Sequence, residues 1–269
     1  MKIRKYTYGP FKSRRLGLSL GVNILFDYKI CTFDCVYCEI GKTHKNNLVS
    51  PDYEIDIPPA PQFRKELNSI LKYFPHLDSI SFSGYYGEPT LNIHLEKYLN
   101  IARNVRDKRK WEKNKPLLTL FTNSSTLYKN KVRKVAKQFD VVLAKLDGAT
   151  QEDFLRTVRP HKKVSSIENI IKAIAKLKNE MPNKNKLIIQ SLLYRSYHND
   201  FSPNTNNKNI RALAKAIKII KPHRLQIYTI ARTPAEYYVY SLDKTKMNTI
   251  IKELKNLVND ESIQIMGYR

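Results

Sequence analysis

The stretch Ile30-Cys31-Thr32-Phe33-Asp34-Cys35-Val36-Tyr37-Cys38-Glu39 holds all three cysteines of a 269-residue chain within eight consecutive positions. No cysteine is left elsewhere for a disulfide, and clustered thiols suit a reducing compartment better than a disulfide framework. The spacing Cys-x3-Cys-x2-Cys instead points to three thiolates, Cys31, Cys35 and Cys38, on one metal centre. Two centres fit such a loop. A closed structural zinc site takes four protein ligands, and His44 lies close enough in sequence to complete a Cys3His set. An iron–sulfur cluster also normally takes four thiolates, so a cluster held by three leaves one iron open to an outside ligand. The cysteines alone do not choose between them.

Outward from this loop, the composition is that of an ordinary globular chain, 42% hydrophobic. No run approaches the roughly 18 apolar residues needed to span a membrane. The segment Met1-Lys2-Ile3-Arg4-Lys5-Tyr6 has charge but no apolar run behind it, unlike a secretory signal. A cytoplasmic protein without a membrane partner is expected. The charge is less ordinary: 48 Lys and Arg against 24 Asp and Glu give +24. Such a field attracts polyanions, which makes RNA the expected macromolecular partner of a basic surface. A proteome rich in Lys, Asn and Ile accounts for the same charge without any binding. The densest basic segments, 103–115 and 129–137, fall on or beside expected outer helices, where a solvated face is the usual role.

Hydrophobic periodicity alternates along the rest of the chain. Strands are expected at 16–25, 79–83, 117–121, 141–144, 186–194 and 225–230, with a short last one at 263–265. Helices are expected at 63–74, 92–106, 127–138, 165–178, 208–220 and 243–258. Ser165 and Glu168 stand at capping-box spacing. Gly17 and Gly21 interrupt the first strand and mark bulges or close backbone approach. Residues 44–61 are polar and proline-rich, an excursion rather than an element. About six β-then-α units predict a parallel sheet with helices outside. That sheet either closes into a partial barrel or lies open and doubly wound, and in both cases the reactive groups belong at the carboxyl ends of the strands.

A second stretch carries chemistry. Ser81-Phe82-Ser83-Gly84-Tyr85-Tyr86-Gly87-Glu88-Pro89-Thr90 places two glycines and a carboxylate at a strand's carboxyl end. The glycines allow a ligand close to the backbone, and Glu88 can hold an ammonium group. Alone, Gly-Glu-Pro is an ordinary turn; one β/α unit after the cysteine loop, it is a specific signal.

Together these two motifs resemble the radical S-adenosylmethionine superfamily: Cys31, Cys35 and Cys38 with Tyr37 before the third, then Gly84 to Pro89 after the second strand. The resemblance implies a partial (β/α)6 TIM-type barrel, α/β in class, as a single domain over 1–269. Its core would cover about 16–232, with an N-terminal strand or arm at 1–15 and a C-terminal helix and strand at 241–269. It also implies a [4Fe-4S] cluster on the three cysteines, its free iron chelated by S-adenosyl-L-methionine. One electron from a donor such as flavodoxin or ferredoxin would then release a 5′-deoxyadenosyl radical that abstracts hydrogen from a substrate. Gly84, Gly87, Glu88 and Pro89 would contact the methionine end, while Asn123 and Gln190, at or in later strands, occupy positions where the superfamily often contacts the nucleoside. Tyr8-Gly9-Pro10, Ser13-Arg14-Arg15-Leu16-Gly17, Ser19-Leu20-Gly21-Val22, Leu143-Ala144-Lys145-Leu146-Asp147 and Gln226-Ile227-Tyr228-Thr229 further resemble a subgroup of iron–sulfur oxidoreductases related to the wyosine-synthesis tRNA enzyme. Those enzymes carry a second cluster on extra cysteines, and this chain has none to offer, which weakens tRNA as a substrate.

Strand parity adds detail. Val141, Leu143, Lys145 and Asp147 share one face, so with helices packed on the other they point inward. Lys145 and Asp147 then stand at the mouth as candidate catalytic residues, or form a structural ion pair. Gln226 and Tyr228 share a face and suit the substrate side. Arg14 and Arg15 either neutralise a phosphate or carboxylate or form a solvated pair. His161 finds no partner in the sequence and is expected on the surface. The competing reading is a zinc-stabilised Cys3His module that binds nucleic acid without catalysis.

Overall fold

The computed structural model describes residues 5–83 and 85–269. The chain enters through β1 (Thr7–Ser13) and turns into β2 (Gly17–Val22). After the cysteine loop come α1 (Pro61–Leu71), β3 (Ser79–Phe82), α2 (Leu95–Asp107), β4 (Leu117–Thr122), α3 (Asn130–Ala136) and β5 (Val141–Lys145). Then follow α4 (Gln151–Val158), α5 (Ile167–Glu180), β6 (Lys186–Leu192), β7 (Arg195–Ser196) and α6 (Asn207–Ile220). The chain ends with β8 (Arg224–Tyr228), β9 (Val239–Tyr240), α7 (Lys244–Val258) and β10 (Gln264–Tyr268).

One sheet runs in the order β1-β2-β3-β4-β5-β6-β8-β10, and β7 pairs with β9 in a separate ribbon. β1 lies antiparallel to β2; all other neighbours in the large sheet are parallel. The sheet curls into a half-barrel with helices outside, as the alternation requires. No helix among the described residues is long and apolar enough to cross a membrane.

Two cores follow from the period of two. Val142, Ala144 and Leu146 face out under the helices and join the main core. Val141 and Leu143 face in, where they meet Ile188, Phe121 and Leu16 from the β1–β2 turn. The helices hold by burial rather than propensity. In α5, Ile170, Ile171, Ile174 and Leu177 are buried on one stripe. Each contributes roughly 1.5–3 kcal/mol, against a propensity cost for Ile of only a few tenths.

Three local readings need correction. The cap of α5 is Ser166, whose side chain accepts from the Asn169 N–H, not Ser165. The helix α4 was not expected: eight residues with Phe154 and Val158 as its buried apolar anchors are too short to show a period. The β7–β9 ribbon, two residues per strand, is likewise below the reach of alternation.

Candidate active site at the cysteine loop

The cysteine loop follows β2 and is held by main chain from four other segments. Ile30 N–H donates to Tyr86 O at 2.8 Å, and Glu88 N–H donates to Ile30 O at 3.3 Å. Cys31 exchanges bonds with the proline-rich excursion, its N–H to Asn47 O and its O from Val49 N–H, at 3.1 and 2.9 Å. The C-terminal carbonyls of α4 accept from the loop: Asp34 N–H to Val158 O at 2.9 Å and Val36 N–H to Thr157 O at 3.0 Å. His161 N–H donates to Thr32 O, and Glu236 N–H to Val36 O, both at 2.9 Å. Arg159 adds an ion pair to Asp34 at 2.8 Å. The segment 157–161, which hydrophobic pattern reads as featureless, is thus the loop's main brace.

Gly87 has a different use from the one its motif suggests. A Cβ there would lie 1.6 Å from Ile30 O, and φ is +140°. Its absence lets the cysteine loop's backbone cross the turn, beyond any freedom it gives a ligand. Gly84 lies outside the described residues. Gly21 is similar: a Cβ would enter the ring of Tyr8 at 2.2 Å, which confirms close approach there.

The three thiols share one cavity of about 410 Å³. Tyr37, Gly87, Glu88, Pro89, Asn123 and Lys145 line it with them, at the carboxyl ends of the strands. Burial pushes the Cys31 thiol up to about 12. It raises Cys35 well above its usual range, helped by the neighbouring Cys38 and Cys31. Burial thus keeps Cys31 and Cys35 as neutral thiols until a cationic centre binds them. Two N–H donors approach the sulfurs, Lys29 Nζ to Cys38 Sγ at 3.2 Å and Asn123 Nδ2 to Cys31 Sγ at 3.5 Å.

His44 is exposed and takes no part in lining the cavity. Among the described residues, no three His, Cys, Asp or Glu side chains gather as one ion would require. His44 therefore does not stand with the three thiols as a fourth ligand. The donor set instead fits an iron–sulfur cluster: soft thiolates without a fourth protein ligand, donors aimed at sulfur, and adjoining space.

Glu88 is 1% exposed. Its Oε1 accepts from Thr90 N–H at 3.1 Å and Thr90 Oγ1 at 2.6 Å, and its Oε2 from Asn123 N–H at 2.6 Å. Burial raises its pKa, partly offset by these bonds. A carboxylate has about four acceptor sites, and Glu88 spends most of them on Thr90, Asn123 and Thr122, which clamps the turn to the end of β4. Asn123 Nδ2 also donates to Thr32 Oγ1 at 2.8 Å.

Lys145 reaches the cavity; Asp147 stands behind it. Lys145 Nζ lies 2.7 Å from Asp147 Oδ1 and 2.5 Å from the Tyr228 hydroxyl. Burial opposes its charge, but Asp147 and Tyr228 outweigh that and raise its pKa. Asp147 also accepts from the Tyr37 hydroxyl and from Leu192 N–H at 2.6 Å. Gln190, too, is set back: it is 1% exposed and donates to Gln226 Oε1 at 2.7 Å, without lining the cavity. Reading the sequence missed Lys29 and Arg232, which line the cavity. Lys29, two residues before Cys31, stands beside the cysteine motif itself, and that position is the signal that could have found it.

Residues 26–195 match the family model described as the Radical SAM superfamily. The chain is 26% identical over 261 residues to UPF0026 protein MJ1312 of Methanocaldococcus jannaschii, covering 97% of this chain and 74% of that one. A UPF0026 protein of Helicobacter pylori is 26% identical over 240 residues, covering 89% and 70%. Among solved structures, Streptococcus suis SuiB bound to S-adenosylmethionine superposes with a TM-score of 0.60. The likeness covers 92% of this chain and 50% of that one, at 12% identity, which makes it a likeness of fold. The match to the family model extends from just before the cysteines through β6 and so takes in most of the half-barrel: the chain belongs to the radical SAM superfamily.

Proposed function

We propose that this chain binds a [4Fe-4S] cluster on Cys31, Cys35 and Cys38 and reductively cleaves S-adenosylmethionine to start hydrogen abstraction from a substrate in the same cavity. The observation that carries this reading is the whole cysteine complement, three thiols without a fourth protein ligand, on one wall of a cavity at the strand ends. When bound, the cluster and S-adenosylmethionine supply electron-driven cleavage to methionine and a 5′-deoxyadenosyl radical, chemistry no side chain provides. The protein's share is placement and exclusion of water. The cysteine loop, braced on 157–161 and Gly87, fixes the three sulfurs. Lys29 and Asn123 donate to two of them and lower their charge density. Glu88 offers its carboxylate to an ammonium group, and Tyr37, oriented by Asp147, covers the thiols. The proposed reductant is a small electron-transfer protein of the flavodoxin or ferredoxin type.

Anaerobic reconstitution with iron and sulfide tests this. About four irons per chain and 5′-deoxyadenosine on reduction with dithionite are expected; stoichiometric zinc with no cleavage of S-adenosylmethionine overturns it. Glu88→Ala should retain the iron and weaken S-adenosylmethionine binding roughly tenfold or more, as loss of a hydrogen bond to a charged group does.

A further inference from the structure

The cavity lining is rich in cations. Lys12, Arg14, Arg15, Lys29, Lys145 and Arg232 belong to it, against two acids, Glu39 and Glu88. Part of this charge is already matched. Lys145 has Asp147, Arg232 has Glu39 at 2.9 Å, and Lys29 faces Cys38 and the Gly41 carbonyl. Arg14 and Arg15 pair with no carboxylate among the described residues. The guanidinium of Arg15 lies over the Tyr228 ring, 4.1 Å from its centroid. Its Nη1 is buried and has no hydrogen-bond partner. Burial of even one such N–H donor without an acceptor costs about 1–3 kcal/mol, a cost that an anion bound at this place would remove. Arg14 is held below its ordinary pKa by desolvation and then by the neighbouring charges of Arg15 and Arg232. Guanidiniums from the β1–β2 turn and from the segment after β8 thus face one cavity, which favours an anion among them.

We infer that Arg14, Arg15 and Arg232, with Lys145 and Tyr228 behind them, form the binding site for an oxyanion of the substrate, a phosphate or a carboxylate group. Guanidinium matches either group with paired N–H donors. Lys145 has three N–H donors and spends them on Asp147 and Tyr228 in part only, so one remains for the same anion. Naming the anion's owner as substrate rests on the proposed function, in which the thiol wall takes the cofactor. The other source of a carboxylate is S-adenosylmethionine itself, and the experiment separates the two.

Anaerobically reconstituted protein is dialysed at low salt against inorganic phosphate, acetate or S-adenosylmethionine in parallel, with iron content and 5′-deoxyadenosine formation measured on the same samples. Phosphate or acetate should bind at one site per chain, and whichever binds more tightly names the oxyanion. Arg15→Gln should lower that affinity at least tenfold, Arg15→Lys should recover part of it, and S-adenosylmethionine affinity should change less than twofold. Equal anion binding by the wild type, Arg14→Gln and Arg15→Gln overturns the inference. So does an S-adenosylmethionine affinity that falls in step with phosphate, which would give the guanidiniums to the cofactor. Protein that holds no cluster yet binds phosphate through Arg15 supports this site while sinking the proposed function; cluster-loaded protein that binds neither anion does the reverse.

Discussion

The two walls of the cavity are built on opposite principles. On the thiol wall, polar groups beside the cysteines are already satisfied: Glu88 accepts from Thr90 and Asn123, and the loop's main-chain N–H and C=O groups are bonded to four other segments. On the cation wall, Arg14 and Arg15 have no carboxylate, and one Arg15 nitrogen is buried without a partner. A satisfied wall is rigid and can hold thiols at set positions before any ligand arrives. An unsatisfied wall is costly when empty and favourable when filled, which is how selective binding of an anion is built. Between them Asp147 belongs to both, accepting from Tyr37 on one side and Lys145 on the other.

Substitutions should therefore have unequal effects. The largest is expected from Cys35→Ala, which should abolish cluster assembly, with iron after reconstitution at background; near-wild-type iron would remove Cys35 from the ligand set. Next, Asp147→Ala strands the Lys145 charge and the Tyr37 hydroxyl in a largely buried position. Breaking such a pair costs about 3–5 kcal/mol, read as a lower urea midpoint; a loss under about 1 kcal/mol would show that Lys145 relaxes freely into the cavity. Gly87→Ala drives a Cβ against Ile30 O and should cost about 2–4 kcal/mol while lowering iron loading. A fully loaded, stable Gly87→Ala would mean the turn and the cysteine loop are not locked together. The smallest change in stability belongs to Arg15→Gln. Loss of its contact with Tyr228 costs at most about 1 kcal/mol, and relief of repulsion with Arg14 offsets part of it. If Arg15→Gln destabilised the protein by several kcal/mol, the cation wall would be structural and the contrast between the walls would fail.

Much of this site was legible in the residues. The cysteine spacing and Gly87-Glu88-Pro89 are each local in sequence, so each motif can be read without the fold. Parity along β5 placed Val141, Leu143 and Lys145 inward because the side-chain period of a strand is two whatever the sheet does. Parity could not say how deep each position lies, and so it put Asp147 at the mouth, where the structure sets it one layer back with its carboxylate tied to Leu192 N–H. Gln190 fails in the same way: it shares a strand with the mouth but is sealed against Gln226. The brace at 157–161 was invisible because its work is done by main-chain carbonyls, which every sequence has.

By itself, the sequence determined the α/β alternation, the clustering of all three cysteines in one loop and the inward-facing strand residues, since each depends on local spacing or on a short period. Only the tertiary structure decided that Gly87 exists for Ile30, that His44 faces solvent, and that Arg14 and Arg15 from the first turn meet Arg232 from beyond β8. Those relations join residues as many as 218 positions apart, from Arg14 to Arg232. They are set by how the half-barrel curls and what its two ends bring together, which no local pattern encodes.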